Sequence, residues 1–278
     1  MTTAIRQPAV AGRFYPGNAQ RLRAEVEILI TRRATAAQQA EEPEIAAIGC
    51  IVPHAGYMYS GGVAGSVYRR LKLPQRCVIL CPNHTGNGEP LAIMSEGAWR
   101  TPLGDLAIDA ELAGALKAAT PLLMEDSEAH RYEHALEVQL PFLQVLKPGL
   151  HFVPIAAGTG NFDVLSALGE AIGETLRTLL EPTLIIASSD MNHYENDQVT
   201  RVKDRRAIDQ VLALDPRGLY DTVREAQISM CGYGPATIML TAARKLGATR
   251  AELIGYATSG DVSGDRDMVV GYAGIAVY

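Results

Sequence analysis

Residues 183–187, Thr-Leu-Ile-Ile-Ala, run directly into residues 188–193, Ser-Ser-Asp-Met-Asn-His. The first half has the length and composition of a strand that is buried on both faces. The second half is the densest polar run in the chain, and it begins where the strand ends. This succession predicts a buried strand whose carboxyl end carries a functional loop.

Similar apolar runs recur along the chain, with helical periodicities between many of them. The runs are residues 45–52, 77–81, 91–94, 152–155, 253–257 and 268–277, and the periodic segments are residues 62–73, 108–119, 129–145, 164–180, 203–214, 216–226 and 235–246. Buried strands that alternate with helices predict an α/β fold with a central mixed or largely parallel sheet flanked by helices. Residues 269–277 alternate less cleanly, which predicts an edge strand.

The sequence offers little sign of a domain boundary. The segment with the weakest structural pattern is residues 34–44, which is rich in Ala, Gln and Glu. We interpret it as the end of a helix that starts near Ala19. There is no internal repeat. We therefore expect a single domain over residues 1–278.

Composition excludes several classes of protein. The chain has 278 residues, of which 25 are basic and 31 acidic, and a net charge of −6. This balance argues against a non-specific nucleic-acid binder. No apolar run approaches the roughly 20 residues of a membrane span, and residues 1–15 contain no apolar segment typical of a signal peptide. Four cysteines do not make a disulfide framework, so we expect a protein of the reducing cytoplasm. Because no apolar run could span a membrane, we also expect no membrane partner.

Histidines follow three of the predicted strands. His54 comes after residues 50–53, His84 after residues 77–83, and His193 closes the run that begins at Ser188. Ligands of open α/β sheets bind at the carboxyl ends of the strands, so these histidines can converge there. Neutral imidazole is the commonest metal ligand. The alternatives are loop histidines that bond the backbone and, for residues 188–193, a capping turn.

Two further residues suggest chemistry in the same place. Asp190 lies three positions before His193, and an Asp can orient a His and stabilise its charged form. Cys231 precedes a predicted helix within Met-Cys-Gly-Tyr-Gly-Pro, where a thiolate would be stabilised. The other cysteines, Cys50, Cys77 and Cys81, lie in or beside apolar strands and are expected to be structural.

One motif points to a different chemistry. His130, Glu133 and His134 fit the H-x-x-E-H pattern of a class of zinc proteases. The alternative is a polar helix face that Glu137 extends, with Pro141 ending or kinking the helix. Five-residue patterns arise by chance, so the protease interpretation is the weaker one.

Several motifs taken together resemble the Memo family. They are Arg6-Gln-Pro-Ala-Val-Ala-Gly-Arg-Phe-Tyr-Pro16, Pro53-His-Ala-Gly-Tyr57, Pro82-Asn-His84, Glu133-His-Ala-Leu-Glu-Val-Gln-Leu-Pro141, Ser188-Ser-Asp-Met-Asn-His-Tyr194 and Cys231-Gly-Tyr-Gly-Pro235. They occur in the family's order from residue 6 nearly to the end. The H-x-x-E-H segment overlaps one of these family motifs, so the resemblance weakens the protease interpretation further.

The resemblance implies a fold like that of the class III extradiol dioxygenases, which use non-haem iron. It implies that His54 and His84 bind the metal, that Cys231 stands where those enzymes have a glutamate, and that His193 is the acid–base residue. Thiolate is softer than carboxylate, so iron(II) is the first expectation and copper or zinc the alternatives. It also implies a pathway link to a radical-SAM protein, often encoded nearby.

We therefore expect a non-haem metal-dependent oxidoreductase that acts on a small substrate such as a phenol. In that interpretation His193 moves a proton and Asp190 sets the orientation of its ring. The alternative is a non-catalytic module that keeps the pocket for a metal or a peptide. Tyr57, Tyr194 and Tyr233 lie beside the motifs and would suit either ligand.

Overall fold

The structure, a computed structural model, describes residues 4–31 and 43–278. Its helices are α1 (Ala19–Thr31), α2 (Tyr57–Arg70), α3 (Ala110–Ala119), α4 (Glu128–Arg131), α5 (Leu140–Leu146), α6 (Phe162–Arg177), α7 (Asp197–Leu212), α8 (Pro216–Glu225), α9 (Tyr233–Lys245) and α10 (Gly260–Ser263). Its strands are β1 (Ile5–Arg6), β2 (Gly49–Val52), β3 (Arg76–Pro82), β4 (Leu91–Ile93), β5 (Ala98–Thr101), β6 (Gly104–Ala107), β7 (Met124–Glu125), β8 (His151–Ala157), β9 (Thr183–Ser188), β10 (His193–Glu195), β11 (Ala251–Thr258) and β12 (Val269–Val277).

Some expectations lie outside this description. The predicted end of the first helix falls largely on residues 32–42, which the structure does not describe. The single domain over residues 1–278 stays a prediction. No helix in the described part of the chain is both long enough and apolar enough to cross a membrane.

The main sheet is mixed, and its centre is parallel. Its order is β10-β12-β2-β9-β3-β8-β4-β7, with β11 paired to β12, and β2, β9, β3 and β8 run parallel to one another. This confirms the α/β class and the mixed sheet. A second sheet of β1, β5 and β6 was not predicted. Its strands are short and mix apolar with charged or polar residues, so they give no buried-strand signal.

The central strands are buried on both faces because alternate residues enter two separate cores. In β3, Cys77, Ile79 and Cys81 pack into one core, while Val78 and Leu80 pack into the other. All five side chains have no exposed surface. Burial raises the pKa of Cys77 and Cys81 well above that of a free thiol, which agrees with their predicted structural role.

The expectation of an edge strand near the end of the chain is wrong. Residues Ile275 to Val277 of β12 pair with β2 on one side and with β11 on the other. β12 is therefore an interior strand, and nearly all of its residues are buried. Burial on both faces removes the polar–apolar alternation that a half-exposed strand shows.

The predicted helix over residues 129–145 is broken into pieces. α4 ends at Arg131, a single 3-10 turn covers Glu137–Gln139, and α5 begins at Leu140. Pro141 lies in the first turn of α5, where the missing N–H costs nothing, so it starts a helix and does not end one. Glu133 accepts the backbone N–H of Ala135 at 2.8 Å, a local bond that competes with helix formation.

A buried carboxyl group of α7, that of Asp204, packs against β12. Asp204 has no exposed surface and accepts hydrogen bonds from Tyr256 Oη at 2.7 Å and from the backbone N–H of Asn192 at 2.9 Å. A Cβ atom at Gly271 of β12 would overlap its carboxylate, which explains the glycine there. Burial raises the pKa of Asp204 from 3.8 to about 7, although both hydrogen bonds oppose the shift.

We expect Asp204→Asn to stabilise the protein at pH 8. The folded state binds this proton more tightly than the unfolded state does, so wild-type stability falls as pH rises from about 4 to 7. Asn carries no charge and keeps the acceptor for Asn192, while its N–H2 donates to the hydroxyl of Tyr256 in place of accepting from it. The gain in the free energy of unfolding is at most about 4 kcal/mol. Urea unfolding at pH 5 and pH 8 measures it, with exposed Asp209→Asn on the same helix as control. Equal pH dependence in wild type and Asp204→Asn would contradict it.

Candidate metal centre at the ends of the parallel strands

Sheet order brings the predicted residues together. β9 lies between β2 and β3, and all three strands run in the same direction. His54 follows β2, His84 follows β3 and Asp190 follows β9, so their loops leave the same edge of the sheet. Cys231 reaches this edge from the turn that precedes α9.

A cleft of about 630 Å³ opens at this edge. All five predicted site residues line it, namely His54, His84, Asp190, His193 and Cys231, together with Phe14, His134 and Tyr194. Four of these eight side chains are imidazoles. The cleft therefore offers several neutral nitrogen donors, one thiol and one carboxyl group.

Three side chains have the spacing of metal ligands. Cys231 Sγ lies 3.2 Å from His54 Nε2, and one ligand atom from each of His54, His84 and Cys231 lies within 4.8 Å of the others. Bonds of about 2.0–2.3 Å place neighbouring ligand atoms of one metal about 3–4 Å apart. The rings of His54 and His84 stand nearly edge-on, with an interplanar angle of 79°, so their lone pairs can converge.

Hydrogen bonds fix the tautomer of His54. Ser188 Oγ donates its only hydrogen to the carbonyl of Ala135 at 2.6 Å and accepts from Gln139 Nε2 at 2.8 Å. The contact of 3.0 Å between His54 Nδ1 and Ser188 Oγ therefore requires the hydrogen to be on Nδ1. Nε2 keeps its lone pair and points at Cys231. Burial, together with the charges of His134 and His84, holds the pKa of His54 well below its usual value, so the ring is neutral.

Glu133 orients the second histidine. Its carboxylate accepts from the backbone N–H of His84 at 2.6 Å and contacts His84 Nδ1 at 2.9 Å. Burial opposes the charge on His84, but the bond to Glu133 outweighs it and raises the pKa of the ring. A carboxylate on the outer nitrogen fixes the tautomer and ring orientation of metal-ligating histidines. This arrangement leaves Nε2 of His84 as the nitrogen that could bind a metal.

A second group of donors suits a metal less well. His84, Glu133 and His134 also have ligand atoms within 4.8 Å of one another. However, the rings of His84 and His134 are stacked, with centroids 4.7 Å apart and an angle of 24°. Lone pairs of stacked rings run side by side and do not meet at one point. The set of His54, His84 and Cys231 is therefore the better candidate for a metal site.

Sequence reasoning missed the role of Glu133 and His134. The structure places His134 in the cleft lining and Glu133 behind His84, where it is buried and contacts Nδ1 of that ring. Both residues belong to the H-x-x-E-H motif, but the predicted helix placed their side chains on one face of that helix. The broken helix turns them toward the strand ends instead.

Asp190 does not orient His193, contrary to the expectation. Its Oδ1 accepts the backbone N–H groups of His54 at 2.7 Å and Ala55 at 3.3 Å, and thus holds the turn after β2. The ring of His193 is anchored through Nδ1, which lies 2.8 Å from the carbonyl oxygen of Ser229. Burial raises the pKa of Asp190 to about 7 and lowers that of His193.

The helix after Cys231 does not by itself give a thiolate. Burial and then the charge of Asp190 raise the pKa of the Cys231 thiol, which outweighs the expected stabilisation at the start of α9. The metal-free thiol is therefore protonated. A Cβ atom at Gly232 would overlap Ser189, so only glycine lets the Cys231 turn approach β9 this closely.

Only one of the three tyrosines expected beside the site lines the cleft. Tyr57 is buried and donates to the carbonyl of Val138 at 2.7 Å, while Tyr233 packs on Tyr220. Tyr194 is 69% exposed at the cleft, and its φ of +59° is in the left-handed region. Such a conformation in a bulky residue is uncommon and is often found at functional sites.

A buried ion pair ties the N-terminal motif to the site. Glu137 pairs with Arg6 and also accepts from the backbone N–H of Ala9 at 2.8 Å, from that of Val10 at 3.1 Å and from Tyr15 Oη at 2.6 Å. Arg6 in turn donates to the carbonyl of Glu133 at 2.6 Å. These contacts hold the segment that carries the partner of His84.

The fold is α/β, and His54, His84 and Cys231 lie together at the ends of its parallel strands. The profile of the family described as Memo-like protein matches residues 6–276. A MEMO1 family protein of Methanosarcina mazei is 43% identical over 274 residues, 98% of this chain and 99% of its own length. One of Methanothermobacter thermautotrophicus is 41% identical over 273 residues, covering 97% and 99%.

The chain therefore belongs to the Memo-like family, which confirms the resemblance inferred from its motifs. A third relative, from Methanopyrus kandleri, is 42% identical over 276 residues, 97% of this chain and 98% of its own. These relatives carry the family name alone.

Proposed function

We propose that the protein is a metal-dependent oxidoreductase whose metal is held by His54, His84 and Cys231. The observation that carries this proposal is the short contact between His54 Nε2 and Cys231 Sγ at 3.2 Å, beside an imidazole whose outer nitrogen is bonded to a carboxylate. Two histidines with occupied outer nitrogens are already in the tautomer that binds a metal. The donor set fits a metal ion without rearrangement of the backbone.

Iron(II) is the metal we propose, with copper and zinc as alternatives. When bound, iron would supply one-electron and O2 chemistry. One thiolate beside two imidazoles is softer than the facial set of two histidines and a carboxylate, and thiolate also suits copper(I) and zinc. The thiol of Cys231 must lose its proton when the metal binds.

His193 is the proposed proton-transfer residue. Burial lowers its pKa, so the ring is neutral near pH 7 and can accept a proton. It lines the same cleft as the three proposed ligands, and the cleft of about 630 Å³ has room for a small substrate. The rings of Phe14 and Tyr194 line it as well, which favours an aromatic substrate such as a phenol.

The second candidate function is a binding module without catalysis. The exposed ring of Tyr194 and the open cleft favour it, because a peptide could lie across the metal centre. Tyrosine is enriched where proteins bind peptides and other proteins. In this case the metal would have a structural or binding role, and His193 would move no proton.

Oxygen uptake separates the two candidates. We expect the protein, purified without oxygen and loaded with Fe(II), to consume O2 in the presence of at least one catechol-like compound. His193→Gln should lower the rate by about 10²–10⁴-fold, the usual contribution of a positioned acid–base group. Exposed His151→Gln, at the start of β8, is the control. Full iron loading without uptake on any compound would support the binding module.

A further inference from the structure

The ring of His193 is anchored by Ser229, a residue from a distant part of the chain. His193 Nδ1 lies 2.8 Å from the backbone oxygen of Ser229, and the backbone N–H of His193 donates to Ser229 Oγ at 2.7 Å. A carbonyl oxygen only accepts, so Nδ1 carries the hydrogen. Nε2 is left as the proton acceptor of the neutral ring.

Asn192 holds Ser229 in place. Its Oδ1 accepts both the backbone N–H and the hydroxyl of Ser229, each at 3.1 Å. Its Nδ2 donates to Glu195 Oε2 at 2.7 Å and to Thr200 Oγ1 at 3.3 Å. These four bonds use the full capacity of the amide, which is completely buried. The carboxylate of Glu195 can only accept, so the amide cannot turn over.

The backbone of Asn192 is fixed as firmly as its side chain. Its N–H donates to Asp204 Oδ1 at 2.9 Å, and its carbonyl accepts the N–H of Gly271 at 2.9 Å. Asp204 is itself bonded to Tyr256. Asn192 therefore connects the core between α7 and β12 to the loop that carries His193.

The backbone of this loop is strained, so surrounding contacts hold it in a conformation that the isolated chain would disfavour. Tyr194, the residue after His193, has a φ of +59°, and the pairing of β10 with β12 shifts register between His193 and Glu195. Strained conformations persist only where the surroundings over-determine them. Ser229 bonds to His193 before Tyr194, and Asn192 bonds to Glu195 after it. Hydrogen bonds therefore hold the chain on both sides of the strained residue.

We propose that Asn192 and Ser229 are positioning residues that fix the ring orientation and the tautomer of His193. Ser229 sets which nitrogen carries the hydrogen, and Asn192 sets where Ser229 lies. The role of this positioning rests on the proposed function, in which Nε2 of His193 receives a proton from the substrate. Asp190, the sequence-based choice for this role, contacts the turn after β2 instead.

Nitrogen-15 NMR of histidine-labelled, metal-free protein tests the proposal, because the two tautomers give different nitrogen shifts and proton couplings. His193→Gln identifies the signal. We expect His193 of the wild type to be the Nδ1–H tautomer alone. Ser229→Ala keeps the backbone oxygen but removes the hydroxyl that accepts the N–H of His193 and donates to Asn192, so the oxygen is less firmly placed and a mixture of both tautomers should appear. Ser229→Thr, which keeps the hydroxyl on an exposed residue, should restore the single form.

Thr200→Val is the matched control. It removes the weakest partner of Asn192 and leaves both bonds to Ser229, so the tautomer of His193 should not change. An Nε2–H tautomer in the wild type, or an unchanged single tautomer in Ser229→Ala, would overturn the proposal. The experiment needs no metal and no substrate, so a failed oxygen-uptake test and a failed tautomer test are separate results.

Discussion

Cys231→Ser is expected to weaken zinc binding by about 100-fold or more, because replacing even an outer partner of a metal ligand typically costs 10–100-fold. Cys231 Sγ lies 3.2 Å from His54 Nε2, and a hydroxyl there is a far poorer ligand than a thiolate. The fold should survive, since Cys231 lies in a turn at the cleft edge. Competition with a chromophoric chelator measures the affinity.

Cys77→Ala is the matched control for this variant. Cys77 is a buried thiol at the opposite end of β3 from the site, and its removal should leave zinc affinity unchanged. Cys231→Glu should shift preference from copper(I) towards iron(II), since carboxylate is the harder ligand. Equal affinities in wild type, Cys231→Ser and Cys231→Glu would show that Cys231 is not a ligand.

Zinc affinity should also fall as pH falls. Burial keeps the Cys231 thiol protonated in the metal-free protein, and binding must release that proton. Each released proton makes affinity about tenfold weaker per unit decrease in pH. Glu133 raises the pKa of His84, so the slope should steepen once that ring is also protonated.

Glu137→Gln is expected to lower the free energy of unfolding by about 3–5 kcal/mol, the usual result of breaking a buried ion pair. The substitution leaves the buried guanidinium of Arg6 without its counter-charge. It also turns an amide N–H2 toward donors, because the carboxylate accepts from two backbone N–H groups and from Tyr15. Urea unfolding measures the loss.

The exposed pair of Glu128 and Arg131 supplies the control. Glu128→Gln removes the same charge from a surface contact of 3.4 Å and should change stability by about 0–1 kcal/mol. Similar losses for Glu128→Gln and Glu137→Gln would contradict the importance that we assign to the N-terminal motif. His84 should also become more mobile in Glu137→Gln, because Arg6 no longer steadies the segment that carries Glu133.

Sequence patterns predicted the site best where chemistry follows a buried strand. The strands before His54, His84 and Asp190 are largely apolar because they are covered on both faces, and the adjacency of these three residues then follows from the sheet order. The start of α8 depends on equally local contacts, because Asp215 caps it and Pro216 occupies its first turn.

Tertiary contacts decided the rest, and no local pattern records them. Ser229 anchors His193 through a backbone oxygen, which any residue type supplies. Glu133 leaves the predicted helix because its carboxylate finds His84, 49 positions earlier in the chain. Helical periodicity over residues 129–145 was real, but bonds to distant residues outweighed it.

X-ray absorption at the zinc edge of the zinc-loaded protein tests the central claim most directly. We predict one sulfur ligand at about 2.3 Å and two imidazole nitrogens at about 2.0–2.1 Å. Cys231→Ser should lose the sulfur contribution, whereas Cys77→Ala should keep it. A wild-type spectrum that contains no sulfur ligand would contradict a metal centre built from His54, His84 and Cys231.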